Sequence, residues 1–406
     1  MPSRQPPGGH PLSLWKMMNR ENQVSTAGWE AETIVKHPAG QETEPFGTPA
    51  PGLHEALLAW YDRYRRHLPW REDPTAYHVW VSEIMLQQTR VEAVRGYYAR
   101  FMERFPDIRS LAESEEDECL KLWEGLGYYS RARNLRRAAG VIMDQCRGEM
   151  PRSARELRKL PGIGPYTSAA IASIAFGEKI PAVDGNLLRV FARLALYEKD
   201  IKTPAASKAA EEFFLQAMPQ ERPGDFNQAL MDLGAGVCVP GGTPACMTGG
   251  ECPLRDYCGA CRTGRCGDLP VMPVKKARRI EQRTVLVIRD DDTILLRRRP
   301  AKGLLAGLYE FPNEDGWLTE PEALDRAEAC GCMPAGIRPL PAAKHVFTHL
   351  EWHMRGYEIR VKAFPGDLPA ENRTTESGAC FAAPLTDLRD KYAIPGALAA
   401  FSPSDS

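Results

Sequence analysis

The 406-residue chain has no apolar run approaching the roughly eighteen residues that a membrane-spanning helix needs, which argues against a membrane role. It also lacks net charge. With 52 basic and 53 acidic side chains the balance is −1, so any binding to nucleic acid must come from local basic stretches. The N-terminal stretch lacks the continuous apolar segment of a secretory leader. No internal repeat or long low-complexity tract is present, which removes solenoid and array architectures. What the chain does not lack is cysteine, but its eleven cysteines are unevenly spread. Cys119, Cys146, Cys330, Cys332 and Cys380 are scattered, and the other six fall between Cys238 and Cys266. A secreted disulfide scaffold is short and evenly stapled, so this bunching fits a metal or iron-sulfur site in a reducing compartment.

The length accommodates two domains plus tails, and 43% hydrophobic with 26% charged residues is ordinary for a soluble globular chain. Residues 1–52 mix Pro, Gly and Thr with scattered charge and are expected to form a disordered tail, with Met17 or Met18 as an alternative start. Across 53–260 apolar residues recur at three- and four-residue spacing, which predicts an all-α domain. Residues 261–282, rich in Gly, Pro and basic side chains, read as a linker. From 283 to 400 the texture is α+β: Thr284–Ile288 and Thr293–Leu296 flank Asp290-Asp291-Asp292 as a β-hairpin. Two basic stretches stand out, Arg63, Arg65, Arg66 and Arg71 beside Tyr64 and Trp70, and Lys275, Lys276, Arg278 and Arg279 in the linker. Either alone reads first as a solvated face.

Four constellations carry chemistry. Leu160-Pro161-Gly162-Ile163-Gly164-Pro165 joins two helical stretches by a tight turn. Gly162 and Gly164 permit close backbone approach, and the following helix offers unpaired N–H groups to a phosphate, although a plain αα-hairpin would look the same. Asp184, just before the amphipathic stretch Leu187–Leu196, suits a helix N-cap and equally a carboxylate facing an oxocarbenium-like sugar. Glu83 sits alone in the apolar run Val79–Leu86, where desolvation would raise its pKa toward the range of a general acid; an exposed or paired Glu is the alternative. Cys238, Cys246, Cys252 and Cys258, separated by seven, five and five residues, suit a 4Fe-4S cluster or tetrahedral zinc. Cys261 and Cys266 could replace a ligand, form a separate site or be inert, and are taken as inert.

The turn with Pro161 resembles the helix-hairpin-helix element of the endonuclease III superfamily, and Glu83-Ile84-Met85-Leu86-Gln87-Gln88-Thr89 closely resembles a motif of its adenine DNA glycosylase (MutY) family. Leu68-Pro69-Trp70-Arg71 and Gly125–Asn134 resemble the DNA-facing segments of that family. The resemblance covers about 53–365 and implies the following. Glu83 protonates an extruded adenine, Asp184 stabilises the sugar cation and Asn186 helps arrange the site. Arg71, Gln88, Thr89, Tyr128, Gly162 and Gly164 contact DNA, with Gln88 and Tyr128 as wedges. Tyr166 stands where a bifunctional lyase carries its Schiff-base lysine, so strand cleavage is not expected. The four cysteines hold a 4Fe-4S cluster, although the family intervals of six, two and five are lengthened here in the first two. Gly303–Pro312, following Arg297-Arg298-Arg299, resembles a Nudix-like domain in which Phe347, Thr348 and His349 recognise 8-oxoguanine. The metal-binding helix of a working Nudix hydrolase is missing from Glu322–Gly331. A monofunctional glycosylase, monomeric and cytoplasmic with the nucleoid, acting on double-stranded DNA with adenine opposite 8-oxoguanine, is the expectation. A DNA-binding iron-sulfur regulator without catalysis is the competing class.

Overall fold

The computed structural model describes residues 47–241, 243–273, 277–365 and 379–403. The expected tail up to residue 46, Met17 and Met18 within it, and Lys275 and Lys276 lie outside them. The first half is helical: α1 (Leu53–Tyr64), α2 (Pro69–Glu72), α3 (Ala76–Leu86), α4 (Val91–Arg104), α5 (Ile108–Glu113), α6 (Glu116–Leu122), α7 (Ser130–Cys146), α8 (Ala154–Leu157), α9 (Pro165–Phe176), α10 (Gly185–Leu194), α11 (Pro204–Ala217), α12 (Pro223–Gly236) and the single turn α13 (Gly259–Arg262).

Two apolar cores organise these helices. One gathers residues of α3 to α9, among them Trp80, Phe101, Trp123 and Leu157. The other gathers α1 with α10 to α13, among them Leu57, Phe191, Phe214 and Leu230. Among the described residues, the first helix thus packs with the last ones of the helical half. The body lies in two lobes, and the segments passing between them are where α9 meets α3 on one side and α12 on the other.

Local sequence explains the key elements. Thr75 caps α3 by accepting from His78 N, and the helix then buries residues on every side, Tyr77 and Val79 to Met85, as a through-core helix must. Helix α9 begins with Pro165 at its first turn and ends on Gly177 in the left-handed region (φ 71°), the usual Pro-start, Gly-stop asymmetry. Its middle is Ala and Ser, and small residues let backbones approach. At Gly224, in the first turn of α12, an added Cβ would stand 2.8 Å from Ile174 Cα and 2.8 Å from Ser173 O of α9. From the same face of α12, Asn227 accepts from Ala182 N (3.0 Å) and donates to Ser173 Oγ (2.8 Å) and Ile180 O (2.9 Å). The fully buried amide therefore fixes the extended strip that leads into α10.

The second half is a mixed sheet in the order β3-β2-β1-β6-β5, built from β1 (Arg279–Arg289), β2 (Thr293–Arg298), β3 (Tyr309–Glu310), β4 (Asn313–Asp315), β5 (Pro334–Val346), β6 (Leu350–Val361) and β7 (Cys380–Pro384), with helix α14 (Glu320–Ala329). β1 runs parallel to β6 and antiparallel to β2 and β4, so the expected hairpin is present. Alternation along β1 sends Val285 and Val287 to one face and Leu286 and Ile288 to the other, the period-two signature of a sheet covered on both sides. Helix α14 covers the second face with Ala323 and Ala327.

The helical body extends past residue 261. α13, Cys266 and Leu269 belong to its second core, and β1 already starts at Arg279, so the linker is shorter at both ends than 261–282. Burial of Cys266 and Leu269 against α10 to α12 is the reason. The sheet domain docks on α6 and α7. Asp117 accepts from Arg298 (2.7 Å) and from Tyr309 OH (2.9 Å), Lys121 donates to Tyr392 O (2.9 Å), and Glu124 accepts from Ile394 N (2.7 Å).

Replacing Gly224 by Ala forces α12 away from α9. We expect a loss of about 1–3 kcal/mol in equilibrium unfolding, the usual cost of overpacking. An unchanged denaturation midpoint would refute the close approach.

Candidate active site and cysteine centre

Because α3 is buried all round, Glu83 on its third turn is largely withdrawn from water, 6% exposed. Its Oε2 accepts from the Tyr166 hydroxyl at 2.7 Å, delivered from the first turn of α9. Burial pushes the Glu83 carboxyl up to about 7, while the Tyr166 hydrogen bond and the Arg71 guanidinium pull it down and Asp184 pushes it up. Burial, with the same two carboxyls, raises Tyr166 well above its ordinary value, so the phenol stays a donor. Tyr166 and Asp184 are themselves only half-buried, and the group opens toward the surface on their side.

Asp184 is the N-cap of α10. Its Oδ1 accepts from Asn186 N (2.9 Å) and Leu187 N (2.8 Å), and its Oδ2 from Asn186 Nδ2 (2.9 Å). Burial raises its pKa; these three donors and Arg189 lower it. Converging N–H donors favour the ionised carboxyl, and they orient it. Asn186 in turn accepts from Arg189 Nη2 at 2.9 Å. Capping and a place beside Glu83 therefore coincide in one residue.

Arg71 is placed otherwise than expected. It does not face solvent as a phosphate contact: it donates to both carboxylate oxygens of Asp232 on α12 (2.8 and 3.0 Å), with its side chain 13% exposed. Arg66 donates to the same carboxylate at 2.7 Å. Bidentate pairing to a buried carboxylate outweighs exposure, and Arg71 acts instead as the positive charge behind Glu83. The pairing of Asp232 gave no local signal, since its partners lie more than 160 positions away.

Gln88 and Tyr128 project from two adjacent loops, both exposed and both in the left-handed region at φ 58° and 48°. One buried side chain holds both loops. Arg131 Nη1 donates to Ile84 O, Met85 O and Gln87 O (2.8–2.9 Å), and its Nη2 donates to Leu126 O, Gly127 O and Thr89 Oγ1 (3.0–3.3 Å). The orphan carbonyls at the end of α3 are thereby satisfied. Arg131 lies in phase with buried Leu135, Ala138 and Ile142 on α7, and an arginine on that apolar stripe is the signal by which it could have been found.

In the hairpin, Gly162 takes φ 75° and a Cβ there would stand 2.6 Å from Asn134 Cβ. Gly164 is the N-cap of α9 with no side-chain cap, which leaves first-turn N–H groups free for an anion. Phe347, Thr348 and His349 form the turn between β5 and β6. The Phe347 ring packs on Trp352 (5.0 Å), while Thr348 and His349 are exposed. Thr348 Oγ1 lies 2.6 Å from Tyr128 OH, so the Tyr128 loop and the sheet-domain turn touch.

Six cysteines, Cys238, Cys246, Cys252, Cys258, Cys261 and Cys266, line one enclosed cavity, all as free thiols. Cys238 Sγ accepts from Arg193 Nη1 at 3.2 Å. Burial raises Cys252 and Cys266 to about 12. A purely thiol donor set in a shielded pocket is one that a soft, thiolate-binding metal centre completes. Cys261 and Cys266 stand inside this cavity rather than apart from it, because α13 and the turn after it fold back onto Cys246.

Residues 81–216 match the profile of the HhH-GPD superfamily of base excision DNA repair proteins, and residues 284–401 that of the NUDIX domain. The chain is 34% identical to the mouse adenine DNA glycosylase across 83% of its own length and 76% of that protein's. For the human adenine DNA glycosylase the figures are 36%, 77% and 67%. Among solved structures, a thermostable thymine-DNA glycosylase is 28% identical over 52% of this chain and 95% of that one, with a TM-score of 0.46.

A carboxyl raised in the folded state stabilises the fold fully below its unfolded value near 4.5 and less and less as pH rises through about 7. Glu83→Gln is therefore expected to be more stable than wild type at pH 8, by on the order of 2–3 kcal/mol, with the advantage fading toward pH 4.5. Urea unfolding at several pH values checks this; a pH-independent difference would mean that Glu83 titrates normally.

Proposed function

Because this chain belongs to the adenine DNA glycosylase family of base-excision repair, we propose that it removes adenine mispaired with 8-oxoguanine from double-stranded DNA and leaves an abasic site. The observation that carries this reading is the protonatable, buried Glu83 held by Tyr166 beside an N-capping Asp184. Adenine extruded from the duplex enters between α3 and the α10 N-terminus. Glu83 gives its proton to a ring nitrogen of the base. The bond from C1′ to the base breaks with its electron pair leaving on adenine, and the sugar is left as an oxocarbenium ion that the Asp184 carboxylate stabilises. Water adds to C1′ and releases a proton. Tyr166 has no amine to form an imine, which supports base removal without strand cleavage.

Gln88 and Tyr128 fill the stack around the extruded base, and Gly162, Gly164 and Thr89 lie along the phosphate path. The turn of Phe347, Thr348 and His349 meets the 8-oxoguanine. The Arg-Glu and Glu-Glu pairs of a metal-binding Nudix helix are missing from Glu322–Gly331, which favours recognition over hydrolysis there. Cys238, Cys252 and Cys258, with Cys246 as the fourth thiol, would hold a 4Fe-4S cluster, which would cross-link the loop and order its basic residues. The enzyme works as a monomer, with the nucleoid in the cytoplasm.

Single-turnover release of adenine from a duplex with adenine opposite 8-oxoguanine tests the proposal. Glu83→Gln should lower the rate by about 10²–10⁴, the range of a general acid, with DNA binding retained and little strand cleavage by either protein. Lack of release by folded, DNA-binding wild type would move the non-catalytic regulator forward, whereas full activity in the variant would remove Glu83 as the acid. The wild-type rate should fall as pH rises through about 7, where Glu83 loses its proton, and Tyr166→Phe, by removing a bond that favours the carboxylate, should move that fall to higher pH. Thr348→Ala and His349→Ala should each cut the preference for 8-oxoguanine over guanine by about five- to tenfold, the worth of one hydrogen bond; an unchanged ratio would place the reader elsewhere.

A further inference from the structure

Six thiols surround a site for which a cubane cluster needs four, one per iron. Their arrangement is three and three. Cys238 is anchored by Arg193 Nη1 and by its own N–H to Leu233 O (2.7 Å). Cys258 lies 3.4 Å from Arg193 O, and Cys252 opens the turn whose Arg255 N donates to Cys252 O at 3.2 Å. The other three come from separate segments. Cys246 sits on a single 3-10 turn (Ala245–Met247), Cys261 on α13 one turn after Cys258, and Cys266 after a turn closed by Arg265 N to Ala260 O (2.8 Å). Their sulfurs all lie within 4.8 Å of one another, Cys246 and Cys266 at 3.9 Å. Two thiolates on one tetrahedral metal with bonds of about 2.3 Å stand about 3.8 Å apart. The trio therefore addresses a single metal position, and an iron of a cubane, already holding three sulfides, accepts one thiolate.

Resting on the iron-sulfur reading above, we propose that the fourth corner of the cluster has no dedicated ligand: Cys246, Cys261 and Cys266 are interchangeable there, while Cys238, Cys252 and Cys258 each serve one corner alone. The lengthened loop between Cys238 and Cys252 is tolerated for this reason. Loss of the half-exposed Cys246 thiol leaves two others in place to bind the same iron.

Iron and acid-labile sulfide per chain, with the visible absorption of the cluster, read the proposal after anaerobic reconstitution of the full chain; far-UV circular dichroism confirms folding. Wild type, Cys246→Ser and the double variant Cys261→Ser/Cys266→Ser should each hold four irons and four sulfides. The triple variant lacking all three thiols, and Cys252→Ser, should lose the cluster. A folded Cys246→Ser, or Cys246→Ala, without cluster overturns the interchange, as does a triple variant that keeps it. Wild type that binds metal without sulfide overturns the cluster reading itself, and no variant would then carry sulfide.

Discussion

The structure depends on keeping one carboxyl out of water. A lone Glu in a helix with no exposed face is costly unless its surroundings hold it neutral or pair it, and the helices around Glu83 do both. α9 brings the Tyr166 hydroxyl to it, α12 brings Asp232, which positions Arg71 behind it, and the N-cap of α10 sets Asp184 nearby. Each element reaches that place by a close contact elsewhere: Gly224 against α9, and Asn227 across to Ala182. Packing and chemistry are thus linked, since loosening the α9–α12 contact would admit water to Glu83 and lower its pKa.

A second constraint acts at the rim. Gln88 and Tyr128 hold left-handed backbone conformations, which non-glycine residues adopt at a cost of order 1 kcal/mol or more. Arg131 offsets that cost with six hydrogen bonds, five of them to main-chain carbonyls. Rigid side chains at these two positions suit the proposed base extrusion, since a flexible one would yield rather than part the stack. The contact between Tyr128 and Thr348 couples this loop to the turn between β5 and β6.

Much of this was legible. The apolar run around Glu83, the turn of Gly162 and Gly164, the N-cap signal of Asp184 and the period-two strands are local patterns, and local patterns survive into the fold. Arg71 was not legible: from Leu68-Pro69-Trp70-Arg71 it looks like a surface cation, and only Asp232 on a distant helix turns it inward. Arg131 was hidden within a segment recognised for its neighbours. Cys261 and Cys266 looked surplus because the four cysteines before them already supply the ligand set of one cluster.

Sequence alone determined which groups exist and what each can do: a carboxyl that burial will raise, a phenol in place of an amine, thiols in excess of four. Local spacing also set the helices and strands that carry them, because turn and capping preferences act over a few residues. Tertiary structure decided which of these groups meet. Buried polar groups must find partners wherever the chain brings them, so the pairing of Arg71 with Asp232, the grip of Arg131 on two loops and the gathering of Cys246 with Cys261 and Cys266 follow from packing across the chain, which no local pattern records.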